Sequence, residues 1–223
     1  MSNLINYTLH LADNALILGQ RNTEWCGHGP ILEQDIAITN ISLDLVGQAR
    51  SFYQYAAQLK ADGSTEDTLA YLRTERDFKN CLLVEQPNGD WAQTILRQFL
   101  FSSYQYFLYQ ELQKNSDETL AAIAEKSLKE VSYHLRWSSE WVIRLGDGTD
   151  ESHSRILKAI DELWRYTGEL FIPVAVSYTH LLAHETVLDL VCRLLLEKTK
   201  AKPDTPTYHQ LSNKRKLRPP RRD

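Results

Sequence analysis

Apolar side chains recur along most of the chain at alternating steps of four and three residues, the spacing that lines one face of an α-helix. The first segment shows this spacing at Ile5, Leu9, Ala12 and Leu16. No segment alternates between apolar and polar residues for long enough to indicate a strand. We predict helices over these stretches: Asn3–Arg21, Pro30–Leu59, a short one opened by Ser64 and Thr65, another from Thr74 to about Pro87, Asp90–Gln113, Asp117–Leu145 and a last one capped by Thr149.

Cap residues support several of these helix ends. Asp90 and Gln93 have the spacing of a capping box, in which each side chain bonds the backbone N–H of the other residue. Pro30 is expected in the first turn of the second helix, where its missing N–H costs little. Gly146 stands where a left-handed residue commonly ends a helix. Long helices with short connections are typical of a helical bundle, so the predicted fold is all-α.

The helix predicted over Asp117–Leu145 carries a histidine on its inner face. His134 follows Val131 in the apolar register and precedes Ser138. Glu130 lies one helical turn before His134, so we predict that the Glu130 carboxylate hydrogen-bonds the His134 imidazole. The sequence favours a buried histidine in a satisfied polar network, and metal ligation is the alternative.

Two other helices also place polar residues within an apolar pattern. The first has His10 near Asp13 and Asn14, and the second has Asp35 and Asp44. Inward carboxylates and histidines can hold a di-iron centre, whose usual ligands are one Glu from each of two helices and a Glu-x-x-His pair from each of two others. No Glu-x-x-His occurs in the chain. We therefore assign no catalytic, cofactor-binding or metal-binding residue.

The distribution of aromatic, cysteine and apolar residues, together with missing motifs, weakens several classes of function. Aromatic residues crowd the stretch from Phe99 to Tyr109, which we interpret as core or subunit interface rather than a substrate pocket. The widely spaced Cys26, Cys81 and Cys192 indicate buried thiols, not a disulfide framework or a metal site. No apolar run approaches the roughly 20 residues that span a bilayer, so we expect a cytoplasmic protein. The sequence shows neither a Gly-rich phosphate loop nor a Gly-x-Ser-x-Gly elbow, which weakens nucleotide-binding and hydrolase interpretations.

The end of the chain differs in composition from the rest. Lys198 to Asp223 contains nine Lys or Arg against two Asp, although the whole chain has a net charge of -4, so the body is strongly acidic. All nine Gly lie at or before Gly168, and five of the seven Pro lie at or after Pro173. We predict a helical bundle over residues 1–171 and a basic, disordered tail over residues 172–223.

Four separated strings in the body resemble, in the same order, the structural (C) subunit of the multicomponent phenylacetyl-CoA 1,2-epoxidase, also called phenylacetate-CoA oxygenase. The strings are EWCGHGP at 24–30, ISLDLVGQAR at 41–50, LLVEQPNG at 82–89 and YHLR at 133–136. The resemblance spans about residues 1–171. It implies a ferritin-like helical bundle that pairs with a homologous catalytic subunit. In that family the catalytic subunit holds the di-iron centre and epoxidises the aromatic ring of phenylacetyl-CoA, with O2 and electrons from a reductase component.

The same resemblance implies that this chain is a non-catalytic structural subunit of aerobic phenylacetate catabolism. The family's structural subunit has lost the metal site, which agrees with the missing Glu-x-x-His. The expected partners are the di-iron subunit and, through the complex, the reductase, and no nucleic acid or membrane is expected. We also expect the bundle to be truncated at its C-terminal end, because the family continues with further helices after Phe171.

The last 50 or so residues resemble translated sequencing-adaptor read-through, carried by VSYTHLLAHET at 176–186, and are expected to be non-native. His180 and His184 there could suggest a metal pair, an interpretation we do not favour. Two alternatives to the structural subunit remain open at this point. One is a self-sufficient di-iron oxygenase with Asp44, Glu130 and His134 among its ligands, and the other is a nucleic-acid binder that uses the basic run at 213–222.

Overall fold

The structure is a computed structural model that describes residues 2–171. In this range it contains only helices and turns and no strand, which confirms the predicted all-α fold. The α-helices are α1 (Ser2–Thr23), α2 (Leu32–Lys60), α3 (Glu66–Tyr71), α4 (Leu82–Glu85), α5 (Trp91–Leu112), α6 (Glu118–Gly146) and α7 (Asp150–Leu163). Short 3-10 turns cover Glu75–Asp77, Trp164–Tyr166 and Gly168–Phe171. None of the helices in this part of the chain is long and apolar enough to cross a membrane.

The four long helices α1, α2, α6 and α5 form a bundle in which each packs against the next. Short loops join α1 to α2 and α5 to α6, so each of these pairs is antiparallel. Across the joint between α2 and α6, Gln34 bonds Trp141 and Gln48 bonds Glu130. Residue numbers therefore rise along α2 as they fall along α6, and this third pair is antiparallel as well. The short α4 packs against α1 and α5, and α7 packs against α5 and α6.

The core between α1 and α2 depends on a close approach of the two helices. Ile38, Ile41 and Leu45 are fully buried on α2. A Cβ at Gly19 on α1 would lie 3.3 Å from both Leu45 Cβ and Val46 Cγ2. Such a contact is tighter than side chains normally allow, so the glycine lets the two backbones approach at this level.

The aromatic-rich α5 lies inside the bundle, with α6, α7 and α4 against it. Phe99, Phe101, Tyr104 and Tyr109 are all buried, which confirms the core interpretation for these four rings. Aromatic side chains bury large areas and dominate core energetics. The helix that carries them therefore anchors the bundle.

Helix starts follow the predicted caps, and two other predictions are wrong. Asp90 and Gln93 form the expected capping box at the start of α5, and Thr149 caps α7. Pro30 lies outside α2, because Ile31 is the extended N-cap residue and the helix begins at Leu32. Gly146 belongs to α6 and does not end it in a left-handed conformation.

The helix predicted from Thr74 to about Pro87 is also wrong. The segment contains the 3-10 turn Glu75–Asp77 and the single helical turn α4, with extended backbone between them. A buried carboxylate on α1 explains the extended part, because Asp13 Oδ2 accepts a hydrogen bond from Lys79 N at 2.7 Å. A backbone N–H that bonds another element is not available to a helix within its own segment.

Candidate functional site

His134 lies in the middle of the bundle and bonds across to α2. Its side chain is fully buried, and Nε2 donates to Asp44 Oδ2 at 3.0 Å. The predicted bond to Glu130 is wrong, because the Glu130 carboxylate instead accepts a hydrogen bond from α2. Nδ1 of His134 is buried and has no hydrogen-bond partner in the described part of the chain. The expected inward position of His134 is confirmed, but its partner lies on a neighbouring helix.

A second set of side-chain hydrogen bonds links α2, α5 and α6. Gln48 Nε2 on α2 donates to Glu130 Oε2 on α6 at 2.9 Å, and Tyr109 on α5 donates its hydroxyl to Gln48 Oε1 at 3.4 Å. Gln105 Nε2 in turn donates to the Tyr109 hydroxyl at 3.3 Å. Burial raises the pKa of Tyr109, so its hydroxyl keeps its proton and acts as a donor. The amide of Gln48 thus links a carboxylate to a phenol.

These residues do not fit a di-iron centre. Such a centre takes about four carboxylates and two imidazoles whose lone pairs converge on two ions. Here Asp44 is bonded to His134, and Glu130 is bonded to Gln48, whose amide also accepts from the Tyr109 hydroxyl. Within residues 2–171, no three side chains of His, Cys, Asp or Glu lie close enough together to hold one ion. That this chain binds no metal stays a prediction.

The polar residues predicted on α1 hold the segment that leads to α4. The Asp13 carboxylate is fully buried and accepts hydrogen bonds from the Arg73 guanidinium, the Tyr53 hydroxyl and Lys79 N. Burial and the Asp13 charge raise the pKa of Tyr53. Burial lowers the pKa of Arg73, but its bonds to Asp13 more than offset this, so the guanidinium stays charged at neutral pH. Three groups therefore converge on one carboxylate through four hydrogen bonds.

His10 and Asn14, also on α1, bond the same segment before α4. Nδ2 of Asn14 pairs with His10 Nε2 at 3.1 Å, and His10 Nδ1 pairs with Lys79 O at 2.6 Å. Asn14 Oδ1 accepts a hydrogen bond from Cys81 N at 2.8 Å. The polar face of α1 therefore bonds the backbone of residues 79–81, and these bonds position the segment that precedes α4.

Two other expectations are corrected by the structure. Asp35 does not face the interior, because its carboxylate accepts the backbone N–H of Gly27 at 2.9 and 3.1 Å. Cys26 is exposed, so the prediction of a buried thiol is wrong there, whereas Cys81 is buried as predicted. Burial raises the pKa of the Cys81 thiol to about 12. Cys192, His180, His184 and the whole predicted tail lie outside the described residues.

Sequence reasoning missed a buried arginine on α5. The Arg97 side chain is almost completely buried, and it donates to Gln86 O, Asn88 Oδ1 and Asn22 Oδ1. None of these acceptors is a carboxylate, and burial lowers the pKa of Arg97 to about 10. Gln98, next in sequence, accepts from Asn22 Nδ2 at 2.6 Å. The signal that could have revealed this cluster is the position of two polar residues within the apolar run of α5.

A cluster of four tryptophans was also missed, because its members lie far apart in sequence. The Trp91 ring at the start of α5 makes edge contacts with Trp25, Trp137 and Trp141 at centroid distances of 5.1, 6.1 and 5.6 Å. The indole N–H groups of Trp137 and Trp141 both donate to Gln34 Oε1, at 3.1 and 2.7 Å. Four tryptophan rings in edge-to-face contact therefore lie at one end of the bundle, and two of them share one amide acceptor.

Comparison with known proteins identifies the family of this chain. The family described as "Phenylacetic acid catabolic protein" matches residues 1–201. The chain is 54% identical over 171 residues to the C subunit of the 1,2-phenylacetyl-CoA epoxidase of Escherichia coli (strain K12), a match that covers 77% of this chain and 68% of that protein. The family match runs past residue 171, and the predicted boundary there stays a prediction. On these two matches and on its ferritin-like helical bundle, the chain belongs to the phenylacetic acid catabolic protein family.

Proposed function

We propose that this chain is a non-catalytic structural subunit of a phenylacetyl-CoA epoxidase and that it pairs with and stabilises the homologous di-iron subunit. The complex would act in aerobic phenylacetate catabolism, with phenylacetyl-CoA as its substrate and a reductase as its electron donor. The name of the E. coli relative, the C subunit of that epoxidase, supports the assignment to the complex. We place the complex in the cytoplasm as part of the same proposal, because a highly charged coenzyme A thioester does not cross a membrane unaided.

One observation carries the structural rather than catalytic role. Between α2 and α6, the Asp44 carboxylate is bonded to His134 Nε2 and the Glu130 carboxylate is bonded to the Gln48 amide. A carboxylate bonded to an uncharged amide is satisfied without a cation. These bonds brace α2 against α6.

Iron analysis of the full chain tests the non-catalytic part of the proposal. We expect well under one iron per chain after anaerobic incubation with Fe(II) and gel filtration, while a di-iron subunit treated in parallel retains about two. A value near two irons per chain would favour the self-sufficient oxygenase with Asp44, Glu130 and His134 as ligands. The Glu130→Gln variant is the matched control, because a genuine site would lose iron when this carboxylate is removed and adventitious iron would not change.

Reconstitution tests the stabilising part. We expect the di-iron subunit of the E. coli epoxidase to co-purify with this chain and to unfold at a higher temperature when the chain is present, since binding to the folded state stabilises it by mass action. Epoxidation of phenylacetyl-CoA is then measured with and without the chain. An unchanged melting temperature together with unchanged activity would contradict the proposal.

A further inference from the structure

Asn88 is followed by Gly89 in the loop between α4 and α5, and this pair of residues is chemically labile. The backbone nitrogen that follows an asparagine can attack the carbonyl carbon of the asparagine side chain. Glycine offers the least steric resistance to this attack, because it has no Cβ. Asn-Gly is therefore the asparagine sequence most prone to spontaneous deamidation, and it occurs once in this chain.

The fold requires the glycine of this pair. Gly89 has a positive φ of 57°, a conformation that other residues rarely adopt. A Cβ at Gly89 would lie 1.3 Å from Gln93 Oε1 and 2.4 Å from Gln93 Cδ. Gln93 is held in place, because Oε1 accepts the backbone N–H of Asp90 in the capping box and Nε2 donates to Glu162. The start of α5 thus excludes the substitutions that would make the asparagine less labile.

The fold also engages both polar ends of the Asn88 amide. Nδ2 donates to Arg21 O and to Glu24 Oε2, both at 2.8 Å. Oδ1 accepts a hydrogen bond from the Arg97 guanidinium. Two acceptors on one side and a cation on the other admit only this orientation of the amide. An aspartate would present an oxygen to both acceptors, so the amide nitrogen is required as well.

The two hydrogen bonds of Nδ2 oppose deamidation. Ring closure makes the planar amide carbon tetrahedral and then expels Nδ2, so the bonds to Arg21 and Glu24 are lost along the reaction. Bonds that are stronger in the ground state than in the transition state raise the barrier. The Arg97 bond has no such effect, because a cation also stabilises the oxygen as it gains negative charge. The restraint on the reaction therefore lies on the α1 side of the loop.

The product would no longer hold the loop to the end of α1. An aspartate at position 88 has no N–H group for Arg21 O or for the Glu24 carboxylate. It would also place a second negative charge beside Glu24, and like charges at this separation repel. Only the contact with Arg97 would keep its acceptor. Because Arg21 lies in the last turn of α1 and Glu24 directly follows that helix, the damage falls on one joint.

We propose that Asn88–Gly89 is a site of spontaneous deamidation, that the bonds of Asn88 to Arg21 and Glu24 preserve the amide, and that deamidation separates the α4–α5 loop from the end of α1. Gly89 N forms a bond to Asn88 Cγ, the Cγ–Nδ2 bond breaks, and ammonia leaves with the proton released by Gly89 N. Water, which reaches the exposed Gly89, then opens the ring at either carbonyl to give aspartate or isoaspartate. The reaction consumes one water, needs no enzyme or oxidant, and is independent of the proposed function.

Peptide mass spectrometry of the full chain, incubated at mildly alkaline pH, measures the rate of deamidation at Asn88. The samples are the folded parent chain, the same chain in guanidinium chloride and the Glu24→Ala variant. The matched control is Glu140→Ala, which removes a glutamate that pairs with an arginine on the surface of α6. We expect a rate about tenfold higher in the unfolded chain and about threefold or more higher in Glu24→Ala, as loss of one charged hydrogen bond allows, with no change in the control.

The Asn88→Asp variant tests the effect of the product. We expect its melting temperature, followed by circular dichroism, to fall by about 3 °C or more. Adding Glu24→Gln should restore part of the loss, because the glutamine amide can donate to the new carboxylate and removes the repulsion. Loss of the Asn88 donors alone would not be recovered in this way. Glu24→Gln in the parent chain gives the effect of the second change by itself.

Each part of the proposal can fail separately. Equal rates in the folded and unfolded chain would show that the fold does not protect Asn88, and no reaction in the unfolded chain would show that the site is not labile. A rate in Glu24→Ala equal to that of Glu140→Ala would remove Glu24 from the restraint. An Asn88→Asp variant that melts with the parent chain, or that Glu24→Gln does not rescue, would overturn the separation of the loop from α1.

Discussion

Replacing Asp13 with alanine is expected to destabilise the bundle more than any surface substitution. The carboxylate is fully buried and serves three kinds of donor: the Arg73 guanidinium, the Tyr53 hydroxyl at 2.6 Å and the backbone N–H of Lys79 at 2.7 Å. Together these bonds connect α1 to α2 and to the extended segment before α4. In Asp13→Ala all three donors lose this acceptor at once.

The expected loss of unfolding free energy depends on whether each donor finds another hydrogen-bond acceptor in the variant. The Tyr53 hydroxyl and the Lys79 N–H are in protein surroundings, and a buried donor left without an acceptor costs about 1–3 kcal/mol. The Arg73 side chain is 13% exposed and can regain some water, so its contribution is smaller. We expect Asp13→Ala to lower the free energy of unfolding by about 3–5 kcal/mol, the usual cost of removing one partner of a buried ion pair. Arg73→Met should cost less, about 1.5–3 kcal/mol, because the carboxylate keeps two donors.

Urea unfolding of the full chain, followed by circular dichroism at neutral pH, measures these values. In the double variant Asp13→Ala/Arg73→Met, the loss of unfolding free energy should be smaller than the sum of the two single losses by at least about 1 kcal/mol. Removing both charges leaves neither of them buried alone. Asp161→Ala on the exposed side of α7 is the control and should not lower stability. A loss below about 1 kcal/mol in Asp13→Ala, or additivity within about 0.5 kcal/mol, would refute the reasoning.

Three further predictions use other buried groups. In a Cys192→Ser background at pH 8, a thiol reagent should modify Cys26 at once and Cys81 only after unfolding, because burial raises the pKa of Cys81 to about 12 and keeps it protonated and inaccessible. Burial also raises the pKa of Tyr7 to about 12. The free energy of unfolding should therefore fall as the pH rises from about 10 to 12, because the unfolded chain releases the Tyr7 proton at a lower pH than the folded chain. Urea unfolding across this pH range measures the fall. Gln34→Leu leaves two indole N–H groups on α6 without their acceptor. It should lower the free energy of unfolding by about 1–3 kcal/mol and shift the tryptophan fluorescence maximum. An unchanged emission maximum and unchanged stability would contradict this prediction.

The sequence allowed the helices to be predicted because their signals are local. The capping box at Asp90 and the cap at Thr149 involve residues three positions apart, and both are present. The inward position of His134 is equally local, since periodicity decides which face of a helix a residue occupies. These predictions need no knowledge of which helices are neighbours.

Partners across the bundle could not be predicted in the same way. Glu130 is within one turn of His134, yet the histidine bonds Asp44, which is 90 residues away in sequence. The choice depends on the register between α2 and α6, which is set by core packing along both helices. Arg97 was missed for a related reason, because a buried guanidinium is unusual and its acceptors lie in loops and on α1.

The residue that best distinguishes this interior from a metal centre is Gln48. An ion held between helices needs carboxylates that are free to give it their lone pairs, and the cation then cancels their charge. Gln48 instead presents an N–H to the Glu130 carboxylate and a carbonyl to the Tyr109 hydroxyl. One amide therefore satisfies an acid on α6 and a phenol on α5 with no added charge. Under the proposed function, these bonds would connect α2, α5 and α6 without the charge that a bridging ion brings.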